Sequence, residues 1–405
     1  MDNSEIEEEL FHMFDGSFKA QEELEVGDQL MGDDSLPCTI TSISTIEEEC
    51  FSVTPVKGDT YTIGISDTLS LYCIPPFINW YEKKNSYVVI WFDKDESRTR
   101  KTYFNKNKFN GKENSLIAAE EFVTSLDQTR EITISLRKYF KKNRSSMKDC
   151  KGYKVPLNFA KRDFTFDPYF IGYWLGDGSK TGPILTIGDE DKHMVEYFAK
   201  YFKDNFDMDF SKNGISYRFI NSENNKTGKR SKNILLDYLR DKDLYENKHI
   251  PIEFLHSSRE SRLRLLAGLI DSDGHLDNNN TYDFVQKSEQ LFDDVIYLAR
   301  SLGFSCYKAP CKKTCTNAKG GPKTGDYFRC TISGKGIEEI PCMIPRKKAH
   351  VREQIKDVLV TGITIESIGE CTNYRIKTDK PRFLLSDFTV RHRYVPNYKY
   401  DDDDD

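Results

Sequence analysis

Two stretches of the chain share an unusual order of apolar and small positions. Residues 266–274 read LAGLIDSDG, and residues 170–178 carry a looser copy, FIGYWLGDG. Small residues stand four apart in each copy: Gly172 and Gly176 in the first, Gly268 and Ser272 in the second. Because positions i and i+4 share one helical face, the pattern predicts two helices that pack with their backbones unusually close. Such an apolar run is also ordinary core material, and only its repetition with a matching Asp-Gly end favours a special role.

The predicted helix pair would bring its last aspartates, Asp177 and Asp273, side by side. Two carboxylates at close range repel each other unless one is protonated or a cation lies between them. At neutral pH, Mg²⁺ is the usual cation for hard oxygen ligands. The pattern therefore predicts a shared Mg²⁺ site at the foot of the helix pair.

This repeated motif resembles the signature of the LAGLIDADG homing endonucleases. In that family, both helices form the interface of two pseudo-symmetric halves, and the terminal aspartates hold the divalent ions that cleave DNA. The chain from about Pro168 to Lys348 repeats loosely as helix, strands, helix, strands, helix. The resemblance implies two fused α+β halves with four-stranded sheets, repeat one over 160–257 and repeat two over 258–348. It further implies a monomer that covers a long, asymmetric site on double-stranded DNA.

The two ends of the chain follow a β-like pattern. From about Phe14 to Leu71, apparent strands of four to six residues alternate with Gly, Asp and Pro, and residues 358–365 and 383–390 are again β-rich. The stretches DGS (15–17), EVGDQLMGDD (25–34) and RFLLSDFTVRH (382–392) resemble the Hint fold, the protein-splicing domain of inteins. With the endonuclease lodged inside it, the layout resembles large inteins of the yeast vacuolar ATPase type and their mating-type-switching relatives.

The expected fold is therefore multidomain. An all-β Hint-like domain is built from both chain ends, residues 1–75 and 349–400, and a pseudo-symmetric, two-repeat LAGLIDADG endonuclease domain of α+β class is inserted over 160–348. Between them, residues 76–150 predict two strands and an amphipathic helix with many basic residues: Arg98, Arg100, Lys101, Lys106, Lys108 and Lys112. In large inteins of this type the corresponding insertion is a DNA-recognition region. The alternative is a basic decoration of the Hint-like module.

Composition changes this picture through the distribution of charge. With 38% apolar residues the chain can build several cores, and its formal net charge is −6. Residues 1–70 carry seventeen acids and two bases, whereas residues 94–144 carry thirteen bases and seven acids, and residues 305–348 carry ten bases and three acids. Such segregation is typical of a polyanion-binding surface, although a solvated mixed-charge face is the alternative for either stretch alone.

The resemblance also implies further site residues. The backbone carbonyls of Gly176 and Ser272 would join the aspartates at the metal, Lys248 in NKHIP would lie near the scissile phosphate, and so would Lys347 or Lys348. Any of these lysines could instead be an ordinary surface residue. Basic side chains in the predicted β-hairpins would contact DNA: Arg218, Lys226, Lys229, Arg230 and Lys232 in repeat one, and Lys308, Lys312, Lys313, Lys319, Lys323 and Arg329 in repeat two.

Splicing residues are missing from the Hint-like stretches. Splicing needs a Cys, Ser or Thr nucleophile, an activating histidine and a final Asn. No Cys, Ser or Thr occurs from Ile6 through Phe14, Asp67 or Thr68 stands where the histidine would lie, and His392 is followed by Arg393. We therefore expect a scaffold that does not splice, with His12 and His392 as structural residues. The alternatives are a precursor that still splices and a DNA-binding protein of LAGLIDADG type that does not cleave.

The remaining features bound the setting of the protein. Ten cysteines without a secretory leader are expected to be reduced thiols, and the spacing of Cys306, Cys311, Cys315, Cys330 and Cys342 fits no standard zinc site. No apolar stretch approaches the roughly 20 residues of a membrane span, and no secretion signal is recognisable. We expect an intracellular protein, nuclear if the source is eukaryotic, with a solvated acidic tail at 401–405.

Overall fold

The computed structural model describes residues 9–96, 98–127, 129–142, 147, 149–222, 233–315, 321–351 and 356–396. The chain forms two compact units. The split unit contains the chain up to Val155 and again from Leu359, and the central unit runs from Pro156 to Val358. In the part that is described, no helix combines the length and the apolar character needed to cross a membrane.

The elements follow one another along the chain in three segments. The first segment of the split unit contains β1 (Leu10–His12), β2 (Phe18–Ala20), β3 (Gln29–Met31), β4 (Pro37–Pro55), β5 (Tyr61–Gly64), β6 (Thr68–Cys73), β7 (Phe77–Tyr81), β8 (Ser86–Asp93), β9 (Arg98–Asn105), α1 (Lys112–Ser125), β10 (Glu131–Ser135), α2 (Leu136–Lys141) and β11 (Cys150–Tyr153). The central unit contains α3 (Pro168–Asp177), β12 (Ile184–Thr186), α4 (Lys192–Phe206), β13 (Met208–Asn213), β14 (Ser216–Asn221), α5 (Ile234–Asp241), α6 (Ile252–Leu255), α7 (Arg259–Asp273), β15 (Gly274–Leu276), β16 (Tyr282–Gln286), α8 (Glu289–Ser301), β17 (Ala309–Cys315) and β18 (Lys323–Ile332). The second segment of the split unit adds β19 (Val360–Thr361), β20 (Ile363–Thr378), β21 (Arg382–Leu384) and β22 (Val390–His392).

The split unit is organised around the antiparallel pairing of β4 with β20. The register runs from Pro55 opposite Ile363 to Ile40 opposite Thr378, with two bulges. The prediction of strands of only four to six residues between Phe14 and Leu71 is therefore wrong here, because β4 is one strand of 19 residues. Its polar middle stays extended because β20 continues the hydrogen-bond ladder past it.

Buried apolar residues from both chain segments fill the core of the split unit. Phe11, Leu30, Val53 and Leu71 from the first segment pack with Phe383 and Leu385 from the second. One cysteine pair departs from the expected reduced state, since Cys50 on β4 and Cys371 on β20 form a disulfide with Cα atoms 5.8 Å apart. The expectation of reduced thiols throughout is thus wrong for this pair, whose members lie 321 residues apart in sequence.

The basic insertion forms a small sheet with a helix on it. The sequence predicted two strands and a helix, and the structure has these as β8, β9 and α1, with β7 as a further strand. Val89, Phe104 and Ala119 are buried between the sheet and α1, and Trp91 and Phe122 pack against them. The insertion therefore has an apolar cluster of its own.

Local signals explain where the two main helices of the central unit begin and end. At α3, the Asp167 side chain accepts a hydrogen bond from Tyr169 N and Pro168 takes the first helical position; at α7, Ser258 accepts from Ser261 N. Both helices end at an Asp-Gly pair. A Cβ on Gly178 would lie 2.3 Å from the Trp174 carbonyl oxygen, so this end requires glycine for space.

The two helices pack with their backbones in contact, which confirms the close packing predicted from the small residues. A Cβ added to Gly172 would lie 2.1 Å from the Leu265 carbonyl oxygen, and one added to Gly268 would lie 2.1 Å from the Tyr169 carbonyl oxygen. Larger residues at these positions would force the helices apart.

Each helix is followed by an antiparallel sheet, but the two sheets differ in size. The sheet after α7 has four strands in the order β15-β16-β18-β17, and the sheet after α3 has three in the order β12-β14-β13 among the described residues. The expectation of two four-stranded sheets is wrong for the first among the described residues, because Gly178 forms only an isolated bridge with Leu185 and the chain turns at Lys180 and Thr181. The last helix expected before Lys348 is only a 3₁₀ turn, Ile337–Glu339.

Because the two helices are in close contact, a single methyl group added between them should lower the free energy of unfolding strongly. We expect Gly268→Ala to lower the free energy of unfolding by about 3 kcal/mol, because the new Cβ meets backbone atoms that cannot rotate away. Urea denaturation followed by circular dichroism measures this. Gly188→Ala is the matched control, since its φ is −64° and its Cβ would meet nothing within 4 Å. Equal stability of both variants would contradict the close contact.

Candidate active site

The helix pair brings Asp177 and Asp273 to one place. A Cβ on Gly176, the residue before Asp177, would lie 3.2 Å from Oδ2 of Asp273 and 2.0 Å from Oγ of Ser272. Burial, together with the smaller effect of the neighbouring Asp273 charge, raises the pKa of Asp177 to about 6. Burial also raises the pKa of Asp273, although Lys248 and Lys347 oppose the shift. The site therefore concentrates negative charge that water screens poorly.

Lys248 lies at the foot of α3. Its Nζ donates to the carbonyl oxygen of Gly176 at 2.9 Å and lies 5.2 Å from the centre of the Trp174 ring. Burial lowers the pKa of Lys248 to about 8, and the charges of Asp273 and Asp177 oppose that fall. The ammonium group is thus held beside both carboxylates.

Lys347 takes the corresponding place at the foot of α7. Its Nζ donates to the carbonyl oxygens of Ile270 at 2.9 Å, Asp271 at 2.8 Å and Ser272 at 3.3 Å. Lys347 is buried at the end of a 3₁₀ turn, Pro345–Lys347, whereas Lys348 is exposed. Of the two lysines that the sequence left open, the structure brings only Lys347 to the helix ends.

Two carboxylates hold the segment that carries Lys347, and the sequence did not point to either. Oδ2 of the buried Asp271 accepts from Tyr169 Oη at 2.7 Å, from Met343 N at 2.6 Å and from Ile344 N at 3.3 Å. Asp191 pairs with Arg346, with 2.8 Å between Oδ2 and Nη2. Asp271 could have been noticed in the sequence because it is a carboxylate inside an apolar run. No sequence feature indicated a role for Asp191.

The donor set around the helix ends suits a hard divalent cation. Asp177 and Asp273 supply carboxylate oxygens, and the carbonyl oxygens of Gly176 and Ser272 lie beside them and retain a lone pair while accepting from lysine. Gln286 donates to Oδ2 of Asp273 at 3.1 Å and orients that carboxylate. Within the described ranges no cluster of three or more His, Cys, Asp or Glu side chains could hold a metal. Two carboxylates with carbonyls and water fit Mg²⁺, which keeps several waters when bound.

The basic residues predicted to contact DNA are distributed over both units. In the split unit, Arg98 and Lys101 are exposed on β9, Arg100 pairs with Asp93 at 2.6 Å, and Lys106 and Lys108 follow β9. In the central unit, exposed positions on sheet strands carry Arg218, Lys312, Lys313, Lys323 and Arg329. Lys308 pairs with Glu289 and Asp293 on α8. Lys226, Lys229, Arg230, Lys232 and Lys319 lie outside the described residues.

Comparisons with known proteins find similarity to proteins named for work on DNA. Residues 249–341 match the family model described as Homing endonuclease. The replicative DNA helicase DnaB of Mycobacterium intracellulare is 31% identical over 150 residues, which cover 37% of this chain and 21% of that protein. The homothallic switching endonuclease of Saccharomyces cerevisiae is 25% identical over 240 residues, 49% of this chain and 40% of that protein. The chain thus spans less than half the length of either relative.

A solved structure also shows similarity. It is a crystal structure of a variant of I-DmoI in complex with its target DNA and in the presence of Mn. The match has a TM-score of 0.27 and 12% identity, and it covers 42% of this chain and 87% of that chain.

The raised pKa of Asp177 predicts how stability depends on pH in metal-free buffer. Its folded-state pKa of about 6 lies above the ordinary value of 3.8, so its stabilising contribution is complete below pH 3.8 and is lost as pH rises through 6. We expect Asp177→Asn to remove this loss and to be more stable than wild type at pH 7.5, by on the order of 2 kcal/mol. Thermal unfolding in EDTA between pH 4.5 and 7.5 measures the difference. Asp189→Asn, at a carboxylate that is 78% exposed, is the control. Parallel pH profiles for wild type and Asp177→Asn would contradict the assignment.

Proposed function

We propose that this protein is a site-specific endonuclease that hydrolyses phosphodiester bonds of double-stranded DNA, with Mg²⁺ held between Asp177 and Asp273. The observation that carries the proposal is that these half-buried carboxylates lie close together at two glycine-packed helix ends. The arrangement does not serve the stability of the fold, because burying two neighbouring carboxylates lowers the free energy of unfolding. A bound divalent cation removes that cost.

The residues of the site have distinct roles in this proposal. When bound, the divalent cation supplies a water of lowered pKa and offsets charge on the scissile phosphate. Asp177 and Asp273 hold it, with the carbonyl oxygens of Gly176 and Ser272 beside them. Lys248 and Lys347 stand next to the carboxylates and offset the negative charge that develops on the phosphate oxygens. Asp271 and Asp191 act indirectly, because they position the segment that carries Lys347.

The substrate follows from the sheets and the basic residues. We infer that the central unit is a pseudo-symmetric pair of LAGLIDADG repeats, because each of the two helices is followed by a sheet of related strand order. Exposed basic side chains on strands β14, β17 and β18 would contact phosphates and base edges, and those on β9 of the split unit would make contacts of their own. Two unequal halves on one chain favour a monomer and a long, asymmetric target.

The relatives support the same activity. The stretch that matches the homing endonuclease model contains Asp273. The homothallic switching endonuclease is named for nuclease activity. We extend that activity to this chain as part of the proposal, together with a nuclear location if the source is eukaryotic.

The split unit is, in this proposal, a Hint-like scaffold that does not splice. Asp67, at the place of the splicing histidine, is buried, and its Oδ2 accepts from Gly64 N at 2.9 Å and from Asn373 Nδ2 at 3.2 Å. It thereby ties β5 to β20, which is a structural use of the position. Nδ1 of His392 donates to the carbonyl oxygen of the next residue, Arg393, at 2.8 Å, so this ring nitrogen also has a structural hydrogen bond. For the domains we propose the limits predicted from the sequence: 1–75 with 349–400, 76–150 and 160–348.

Removing either metal-binding carboxylate should separate cleavage from binding. We expect Asp177→Asn and Asp273→Asn to lower the cleavage rate at least about a thousandfold and to retain DNA binding. The assay incubates the full chain with a randomised duplex library and Mg²⁺, sequences the cut ends, and measures bound duplexes in parallel. Wild type that enriches a sequence but produces no discrete ends would show a DNA-binding protein without cleavage.

The two adjacent lysines provide an internal comparison. We expect Lys347→Met to lower the cleavage rate about a hundredfold, because a buried positive charge beside the phosphate is lost. Lys348→Met removes the same charge from an exposed position and should stay within about twofold of wild type. Single-turnover cleavage of the selected duplex measures both rates. A larger loss for Lys348→Met would reverse the assignment.

A further inference from the structure

The four-stranded sheet of the central unit has one apolar and one polar face. Along β16 and β18, Tyr282, Phe284, Cys330 and Ile332 are buried, and the residues between them, Asp283, Val285, Arg329 and Thr331, point the other way. On this second face the Arg329 side chain is 59% exposed and that of Asp283 is 22% exposed. A charged pair therefore stands on the open face of the sheet.

The pair has a defined geometry. Nε of Arg329 donates to Oδ1 of Asp283 at 2.6 Å. The two residues are diagonal neighbours, since Arg329 lies opposite Val285 and Asp283 lies opposite Thr331. The two Nη groups of Arg329 form no hydrogen bond with another described residue, so the carboxylate fixes the guanidinium plane and leaves its outer edge available.

We propose that Arg329 reads a guanine in the DNA target through its two Nη groups, with Asp283 as its positioning residue. Two parallel N–H donors match the O6 and N7 acceptors on the major-groove edge of guanine, the commonest specific contact that arginine makes. The inference rests on the proposed function and names one base that the enzyme selects. A lysine could not replace Arg329 here, because it has no planar pair of donors.

The strand pairing restricts this contact to one half of the target. Phe284 pairs with Gly274 just after α7, and Leu185 bridges Gly178 just after α3, so these positions correspond. One residue before this matched pair, Ile184 in the first half takes the position of Asp283 in the second. One residue after it, Thr186 takes the position of Val285. Their strand partners match as well, so Ser216 takes the position of Arg329. The first half has neither member of the pair, so the guanine is required in one half-site only.

The sheet also sets where the guanine lies. Gln286, one residue beyond Val285 on β16, donates to Oδ2 of Asp273 at the candidate active site. Adjacent strand residues are about 3.3 Å apart, and base pairs rise about 3.4 Å. We therefore place the guanine within about three base pairs of the cleaved phosphate.

Selection from a randomised duplex library tests the inference. Full-length wild type, Arg329→Gln, Arg329→Lys and Asp283→Asn are each selected under identical salt, and base frequencies are compared position by position. We expect both Arg329 variants to lose the preference for guanine at one position near the cut by about tenfold or more, with other positions unchanged. Asp283→Asn should weaken the same preference by a smaller factor. Arg259→Gln, which removes an arginine that contacts Glu339 and the Leu302 carbonyl oxygen at the start of α7, should leave every base preference unchanged.

The outcomes separate this inference from the proposed function. Unchanged base frequencies in both Arg329 variants, or a uniform loss of affinity without a change of preference, would overturn the guanine contact and indicate a phosphate contact or a structural ion pair. Thermal unfolding of each variant identifies any loss due to misfolding, and in that event the folded Arg329→Lys variant decides. Wild type that selects no sequence at all would refute the proposed function instead.

Discussion

The contact between α3 and α7 at their glycines determines the rest of the candidate active site. Gly172 and Gly268 let the two backbones meet, so both helices end at one place. A helix carries partial negative charge at its C-terminus, and each of these ends also carries an aspartate. Lys248 and Lys347 donate to the exposed carbonyl oxygens of those ends. A steric property of two glycines thus creates a strong electrostatic requirement for cations.

Much of this site could be predicted from the sequence, because its signals are local. The spacing of small residues predicted the helix pair, and the motif ends predicted the neighbouring aspartates. The choice between Lys347 and Lys348 could not be made, since adjacent residues in an irregular segment differ only through the turn that places one inside. Asp271 was missed because its hydrogen-bond partners Tyr169 and Met343 lie 102 and 72 residues away.

The β-rich parts were less predictable, and pairing explains why. The alternation of residues suggested short strands in the first segment, yet β4 extends over 19 residues because a partner from the far end of the chain continues the ladder. The Cys50–Cys371 disulfide has the same origin, since only that register brings the two thiols together. Among the described residues, the sheet after α3 lacks a fourth strand because of a turn at Lys180 and Thr181, which no apolar pattern marks. Long-range partners leave little trace in local composition.

The division of the split unit between two chain segments also constrains the order of folding. The ribosome completes Pro156–Val358 before β20 exists, so the central unit, one continuous segment, has all of its residues while the split unit still lacks β20. Until β20 is made, the edge of β4 that pairs with it has no partner, and such an edge can pair with other chains in aggregates. Its middle carries three consecutive glutamates, Glu47, Glu48 and Glu49. Their mutual repulsion between copies protects the nascent chain until its own partner strand is made.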